Sequence, residues 1–353
     1  MTVRLFYFPR YSNPYQDLLY RRLAGPFEIR AAGMRAALAW LRRRPGARAV
    51  FHLHWEDAIY KDVRPAAGMR AAIAAFLALA REFRGLGGRL AWTIHNLGTH
   101  EPVYREHDRW LRAELSRLAH AAFVHTLTGR ELLQRELPAL AGRVHVAPHG
   151  NYAGVYPFRA RRDAARRAFG YAPADTVFLA FGMLRPYKRL DWVLQAAAAG
   201  AAQAPGLKLL VAGPVLPQDR GRLRLQPRGA HAALVLRRVP DVEVQRYFAA
   251  ADYAVFAAGG ALTSGSMILA LGFGTPVIAF GAGDAAELLL DARAGFLVAE
   301  DSPVALADAM LRAAALPAPE RAAMSAAAAR IAQGLSWDQS ARVHRRVFET
   351  LFA

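Results

Sequence analysis

The chain has 353 residues, 54% hydrophobic and 10% aromatic, which supports well-packed cores and argues against disorder. It contains no cysteine, so disulfides, thiolate metal sites and cysteine nucleophiles are excluded. The formal net charge of +18 is almost wholly arginine, because Lys61, Lys188 and Lys208 are the only lysines. Such an excess suits acidic partners such as a pyrophosphate-bearing substrate, anionic lipid headgroups or nucleic acid, and a GC-rich genome produces the same bias.

In chain order, residues 2–8, 49–54, 89–95, 122–126 and 144–147 are short apolar runs that read as buried strands. Between them, 66–84, 105–118 and 128–137 carry apolar residues at three- and four-residue spacing and read as helices. The alternation predicts a parallel sheet covered on both faces. It breaks at 148–157, where Pro, Gly and Asn cluster as a linker. A second alternation follows, with strands at 177–181, 207–212, 233–236, 253–256, 277–279 and 295–298. Three closing helices start near Val304, Pro319 and Trp337. The length also favours two domains.

The expected fold class is therefore α/β, with two Rossmann-like, doubly wound parallel-sheet domains facing a central cleft. The domains are 1–150 and 158–336. No charged-then-apolar leader opens the sequence. The longest apolar helical stretch, 66–80, carries Arg70 and is too short to span a bilayer, so the expectation is a cytoplasmic protein. Residues 1–150 hold 23 Arg and Lys against 12 Asp and Glu, a surplus of 11. No zinc-finger spacing, aromatic RNA-binding signature or basic heptad region accompanies that surplus, so nucleic acid is not expected as a partner.

In the second half, the strand 177–181 ends in Gly182 and leads through Arg185 and Lys188 into a helix. A strand-to-helix loop presents backbone N–H groups and the positive helix end, and the Arg–Lys pair suits an anion. Beyond strand 253–256, Gly259 and Gly260 precede Thr263, Ser264, Gly265 and Ser266 at the start of an apolar helix. These small residues form an anion cradle built without charge. Both loops leave one sheet edge and can face one diphosphate. Glu287 opens a further helix and is a candidate contact for donor-sugar or ribose hydroxyls, or a partner of the helix dipole. Asp241 and Glu243 follow Pro240 and read as helix-start charges rather than metal ligands. No other acidic or histidine cluster has metal-ligand spacing, so no metal is expected.

In the first half, three strand ends carry functional residue types. They are Asn13 and Tyr15; His54, Trp55 and Asp57; and His95, Asn96 and Glu101. The carboxyl ends of parallel strands bring them together. A transferase needs an acceptor hydroxyl aimed at the anomeric carbon, a stabilised leaving diphosphate and often a general base. Glu101 and Asp57 are the candidate bases, and His95 a candidate contact to sugar or phosphate. Asn13, Tyr15, His54, Trp55 and Asn96 are candidate acceptor contacts, the aromatics by stacking.

These segments, taken in order, resemble bacterial GT-B glycosyltransferases of exopolysaccharide assembly, and most of all the xanthan-pathway β-mannosyltransferase branch. The matching runs are Ser12-Asn13-Pro14-Tyr15, His52-Leu53-His54-Trp55, Ile94-His95-Asn96-Leu97 with His100-Glu101, Phe181-Gly182 with Arg185-Pro186-Tyr187-Lys188, and Ser264-Gly265 with Leu269-Ala270-Leu271. The resemblance implies an inverting, metal-independent hexosyltransferase. It would move mannose from GDP-mannose, favoured over a UDP-sugar, to a polyprenyl-diphosphate-linked oligosaccharide or other glycan. It also implies that the final helix, 337–353, crosses back onto the first domain, and that the basic first half makes peripheral contact with an anionic membrane. Two glutamates eight positions apart mark retaining relatives, and here those positions hold Ala261 and Leu269. A His-Trp-Pro-Glu run of similar proteins reads His54-Trp55-Glu56-Asp57, which weakens the role carried to Asp57. The rival readings are a retaining transferase using a UDP-sugar and a non-catalytic sugar-nucleotide or nucleic-acid binder.

Overall fold

The computed structural model describes residues 2–11, 13–98, 104–223, 225, 229, 231–258, 262–281, 283–289 and 293–353. The chain divides into two compact units, Met1–Gly150 with Ser336–Ala353, and Asn151–Leu335.

Unit 1 begins with β1 (Val3–Phe8), α1 (Pro14–Leu23), β2 (Phe27–Ala31), α2 (Met34–Arg42) and β3 (Ala49–His54). It continues through α3 (Ala66–Gly85), β4 (Arg89–Thr93), α4 (Arg105–Leu118), β5 (Ala121–Val124), α5 (Leu127–Glu136) and β6 (Val144–Val146). The six strands are parallel in the order β2-β1-β3-β4-β5-β6. The order reverses between β1 and β3, which makes their carboxyl ends the topological switch point. Every residue of β3 is buried, as expected for a central strand covered on both faces.

Three elements of this unit escape the hydrophobic pattern. Strand β2 lies at the sheet edge with Glu28 and Arg30 exposed, so it lacks an apolar run. Helix α1 starts at Pro14 and is polar on its outer face; α2 is a short helix of nine residues. Two strands also end earlier than the apolar runs suggest. Pairing of β4 with β5 stops at Thr93↔Phe123, which leaves His95 and His125 in the loops beyond the ladder.

Unit 2 runs from α6 (Arg162–Ala168) through β7 (Thr176–Phe181), α7 (Leu190–Gln203), β8 (Leu207–Ala212), β9 (Ala232–Val235) and α8 (Asp241–Ala250). It continues with β10 (Tyr253–Phe256), α9 (Gly265–Gly272), β11 (Val277–Phe280), α10 (Asp284–Leu289), β12 (Gly295–Val298), α11 (Pro303–Ala315) and α12 (Ala318–Gly334). The last helix, α13 (Trp337–Thr350), belongs to unit 1 and packs against α1.

The second sheet is parallel in the order β12-β11-β10-β7-β8-β9. Side chains of β7 alternate between two cores: Val177 and Leu179 enter one, Phe178 and Ala180 the other. Full burial of a side chain such as Phe178 contributes about 2–3 kcal/mol, so β7 anchors both layers. Among the described residues no helix is long and apolar enough to cross a membrane.

Candidate functional site

In unit 2 the switch point lies between the central strands β7 and β10. The loops leaving these strands are the two that carry Gly182, Arg185 and Lys188, and Thr263 to Ser266. Gly182 sits at φ +113°, a conformation that favours glycine, and its open side faces the other loop. A Cβ at Gly182 would lie 2.6 Å from Ser266 Oγ and 3.5 Å from Lys188 Nζ. Glycine, hydroxyl and ammonium from two loops thus converge on one spot at the sheet's carboxyl edge.

Each member is held by local structure. Ser264 caps α9, its Oγ accepting from Met267 N at 3.3 Å, so its hydroxyl serves the helix. Thr263 Oγ1 donates to the Leu262 carbonyl at 2.6 Å. Gly265 is the first residue of α9, and Ser266 places its hydroxyl beside Gly182. Lys188 closes a single 3₁₀ turn, Pro186–Lys188, and Arg189 follows in the left-handed region at φ 48°. A left-handed non-glycine residue costs on the order of 1–3 kcal/mol, and it stands at the edge of the cationic loop. Burial, reinforced by the neighbouring Arg185 charge, pushes the Lys188 ammonium down to about 8. Arg185 is partly buried, with Nε 2.7 Å from Asp219 Oδ2.

Glu287 is exposed and is the fourth residue of α10 rather than its opening residue. Leu269 lies in the core, so its position offers no donor contact; Ala261 lies outside the described residues. Asp241 and Glu243 start α8 and pair with Arg238 and Arg237 at 3.9 and 3.2 Å, as surface charges do. Among the described residues, no group of three or more His, Asp or Glu is placed to hold a metal ion.

In unit 1 the switch point gathers aromatic and imidazole rings. Tyr15 is the hub, with the rings of His54, Trp55, His95, His125, His149 and Trp337 all at 5.0–5.9 Å. Trp55 stands at φ 35° directly after β3 and stacks on His95 at 4.1 Å and 7°. Beneath lies a hydrogen-bonded chain. His95 Nε2 meets His54 Nδ1 at 3.2 Å, and the Tyr20 hydroxyl bridges His54 Nε2 at 2.7 Å and His52 Nδ1 at 2.9 Å. His52 Nε2 then meets Thr93 Oγ1 at 2.7 Å. Burial pushes His52, His54 and His95 well below the usual imidazole range, so all three are neutral near pH 7.

This geometry changes several assignments. His54 is fully buried with both ring nitrogens engaged, so it supports His95 and does not face an acceptor. Tyr15 is buried at 2% exposure, inside the ring cluster rather than open to a sugar face. Asn13 is the N-cap of α1, its side chain accepting from Tyr15 N at 3.2 Å. Trp55 and Asn96 keep partial exposure, and the Asn96 carbonyl accepts from Arg112 Nη1 at 3.2 Å. Asp57 lies 3.5 Å from Lys61, and burial raises its carboxyl above the ordinary value. Glu101 lies outside the described residues.

Sequence reasoning missed Asp219, Tyr20, His125, His149 and His344. Asp219 sits in a polar stretch that reads as a surface turn. His125 hides inside an apparent strand and His149 in the apparent linker. His344 lies on a helix nearly three hundred residues from His52, yet the two rings are 5.4 Å apart.

Residues 175–315 match the family described as Glycosyl transferases group 1. A D-inositol 3-phosphate glycosyltransferase of Geodermatophilus obscurus is 31% identical over 189 residues, spanning 51% of this chain and 41% of that relative. The chain thus spans less than half the length of that curated relative, which is not one of the mannosyltransferases expected from the sequence. Sucrose-phosphate synthase from Thermosynechococcus elongatus superimposes with a TM-score of 0.66 at 17% identity, covering 100% of this chain and 99% of that one. Anabaena HepE in complex with UDP gives 0.66 at 16% identity, covering 100% of both chains. Residues 175–315 of unit 2 are thus similar in sequence to group 1 glycosyl transferases, and the two six-stranded parallel sheets are those of the GT-B fold.

Proposed function

We propose that the protein is a glycosyltransferase whose unit 2 holds the diphosphate of a nucleotide sugar. The observation that carries this reading is the convergence of Gly182, Lys188 Nζ and Ser266 Oγ at the switch point. Amides and a hydroxyl at the start of α9, with Lys188 and Arg185, suit a leaving diphosphate. The family match over the same unit supports the reading.

The finer reading is an inverting transfer of a hexose, mannose first, to a lipid-linked oligosaccharide or other glycan in exopolysaccharide assembly. The core position of Leu269, where a retaining enzyme has a donor-binding glutamate, supports inversion. On this reading unit 1 receives the acceptor at Trp55, His95 and Asn96, with Asp57 or Glu101 as base. Its basic residues rest on the anionic inner face of the cytoplasmic membrane. The sequence resemblance favours GDP as the donor nucleotide, and the UDP complex of HepE makes UDP the alternative. The anomeric configuration of the product tests inversion, and a retained anomer overturns it.

Titration with GDP, UDP, ADP and dTDP tests the central claim. At least one binds and raises the melting temperature, because a ligand of the folded state alone stabilises it. Lys188→Ala weakens that ligand about 10–100-fold, the range for a charge-assisted contact. The ammonium titrates near 8 in the ligand-free protein, so affinity is full below that pH and declines as pH rises through it. Lys188→Arg, which stays charged, flattens the decline. An unchanged affinity in Lys188→Ala would refute the proposal.

A further inference from the structure

Asp219 is a carboxylate with no exposure to solvent, on the single 3₁₀ turn Pro217–Asp219 that follows β8. Among the described residues its oxygens have no aligned hydrogen-bond donor, and its charge is met by ion pairs. Arg185 Nε lies 2.7 Å from Oδ2, and Arg222 Nη1 lies 3.5 Å from Oδ1. A desolvated carboxylate persists only while a cation stays beside it. Arg185 is the nearer of the two cations that hold Asp219, although 34 positions separate them in sequence.

The backbone around the pair is fixed. The loops after β7 and β8 run side by side, with Gly182 N donating to the Ala212 carbonyl at 3.0 Å and Leu184 N to the Pro214 carbonyl at 2.9 Å. Leu184 and Val215 then form an isolated parallel bridge, one residue before Arg185. The turn that carries Asp219 is tied by Asp219 N to the Leu216 carbonyl at 2.9 Å, and the Asp219 carbonyl accepts from Arg222 N at 3.0 Å. The carboxylate thus lies against the Nε edge of the guanidinium from a hydrogen-bonded turn. Arg185 is the N-cap of the 3₁₀ turn that ends in Lys188, so the two cations share one loop, and the Arg185 charge helps to lower the Lys188 ammonium.

We propose that Asp219 is the positioning residue for Arg185, holding the guanidinium at the diphosphate cradle before the nucleotide sugar arrives. This rests on the nucleotide-binding reading of unit 2. It adds an acidic residue to a site meant for an anion. The carboxylate costs some attraction for the diphosphate, and in return Arg185 loses less side-chain freedom when the ligand binds.

The test is a double-mutant cycle in the full chain, read by calorimetric titration with UDP and GDP and by melting temperature. Asp219→Asn keeps the shape and removes the charge; it weakens the nucleotide about tenfold, within the coupling range of contacting charged groups. Arg185→Ala weakens it further, and adding Asp219→Asn to Arg185→Ala changes affinity less than about twofold. Arg185→Ala alone melts below the double variant, because it leaves a buried carboxylate to the more distant Arg222. Asp219→Glu, which retains the charge, recovers part of the affinity and serves where Asp219→Asn folds poorly. An unchanged or tighter nucleotide in Asp219→Asn overturns the proposal, as does equal weakening with and without Arg185. Failure of the unaltered protein to bind any nucleoside diphosphate sinks the function proposed above, and this inference with it. Binding by the unaltered protein with an indifferent Asp219→Asn sinks this inference alone.

Discussion

Gly213→Ala is expected to lower the melting temperature of unit 2 by about 10 °C and to abolish nucleotide binding. Gly213 follows β8 at φ +153°, and a Cβ there would lie 1.8 Å from the Gly182 carbonyl oxygen and 2.7 Å from its carbonyl carbon. Both are backbone atoms, so no side chain can swing aside. Either the loop after β8 or the loop after β7 has to move. Moving them breaks the bonds from Gly182 N and Leu184 N that hold the two loops in register. A clash of this kind costs about 3–5 kcal/mol, at the upper end for single substitutions. That translates to roughly 10 °C for a unit of this size. Binding is lost because Gly182, Lys188 and Arg185 all hang from the displaced loop.

Two other glycines frame the claim. Gly182→Ala meets the Ser266 hydroxyl at 2.6 Å, a side chain that can rotate, but it also puts a side chain at φ +113°, so both binding and melting suffer. Gly272→Ala meets nothing within 4 Å at the end of α9 and leaves both readouts near the original. Thermal melts of the three variants with and without nucleotide decide the matter. A Gly213→Ala protein that melts and binds like the original contradicts the paired-loop account.

The two loops that converge at Gly182 were legible because ligands of parallel sheets gather at strand ends, and β7 and β10 are short apolar runs with clear ends. Which hydroxyl matters was not legible. Ser264 and Ser266 are chemically identical in a sequence, and only the helix start separates the cap from the cradle. Asp219 was invisible for another reason: a buried ion pair across neighbouring loops has no periodicity. In unit 1 the residue types at the strand ends were visible, but their depth was not. Tyr15, His54 and Asn13 look like surface chemistry in the sequence, whereas packing by α1 and α13 turns two of them inward and makes the third a helix cap. Edge strand β2 was lost because a strand with one open side need not be apolar.

The depth of those rings sets the second large effect, an acid-induced loss of unit 1 centred near pH 5. Six imidazoles, His52, His54, His95, His125, His149 and His344, are buried in it. Burial holds His125 at about 4, and His149 and His344 at about 3, while His52, His54 and His95 lie well below the ordinary value. In the unfolded chain all six titrate near 6.5, so above that pH both states are neutral and nothing is lost. As pH falls below 6.5 the unfolded chain takes up protons that the folded unit refuses, and stability drops by about 1.4 kcal/mol per group per pH unit. Six groups together remove about 8 kcal/mol per unit, against a typical domain stability of about 5–15 kcal/mol. Glu56 and Asp57, whose carboxyls burial raises, act in the opposite sense, but they are two against six. Tryptophan fluorescence reads the event, because Trp40, Trp55, Trp92, Trp110 and Trp337 lie in unit 1 and only Trp192 in unit 2. His344→Phe removes one titrating ring while its position still stacks on Phe123, at 4.0 Å in the original, so the transition becomes shallower by about one proton. An emission spectrum that stays unchanged from pH 7 to 4.5 would show that the imidazoles of unit 1 are hydrated and that the ring cluster around Tyr15 is not closed to water.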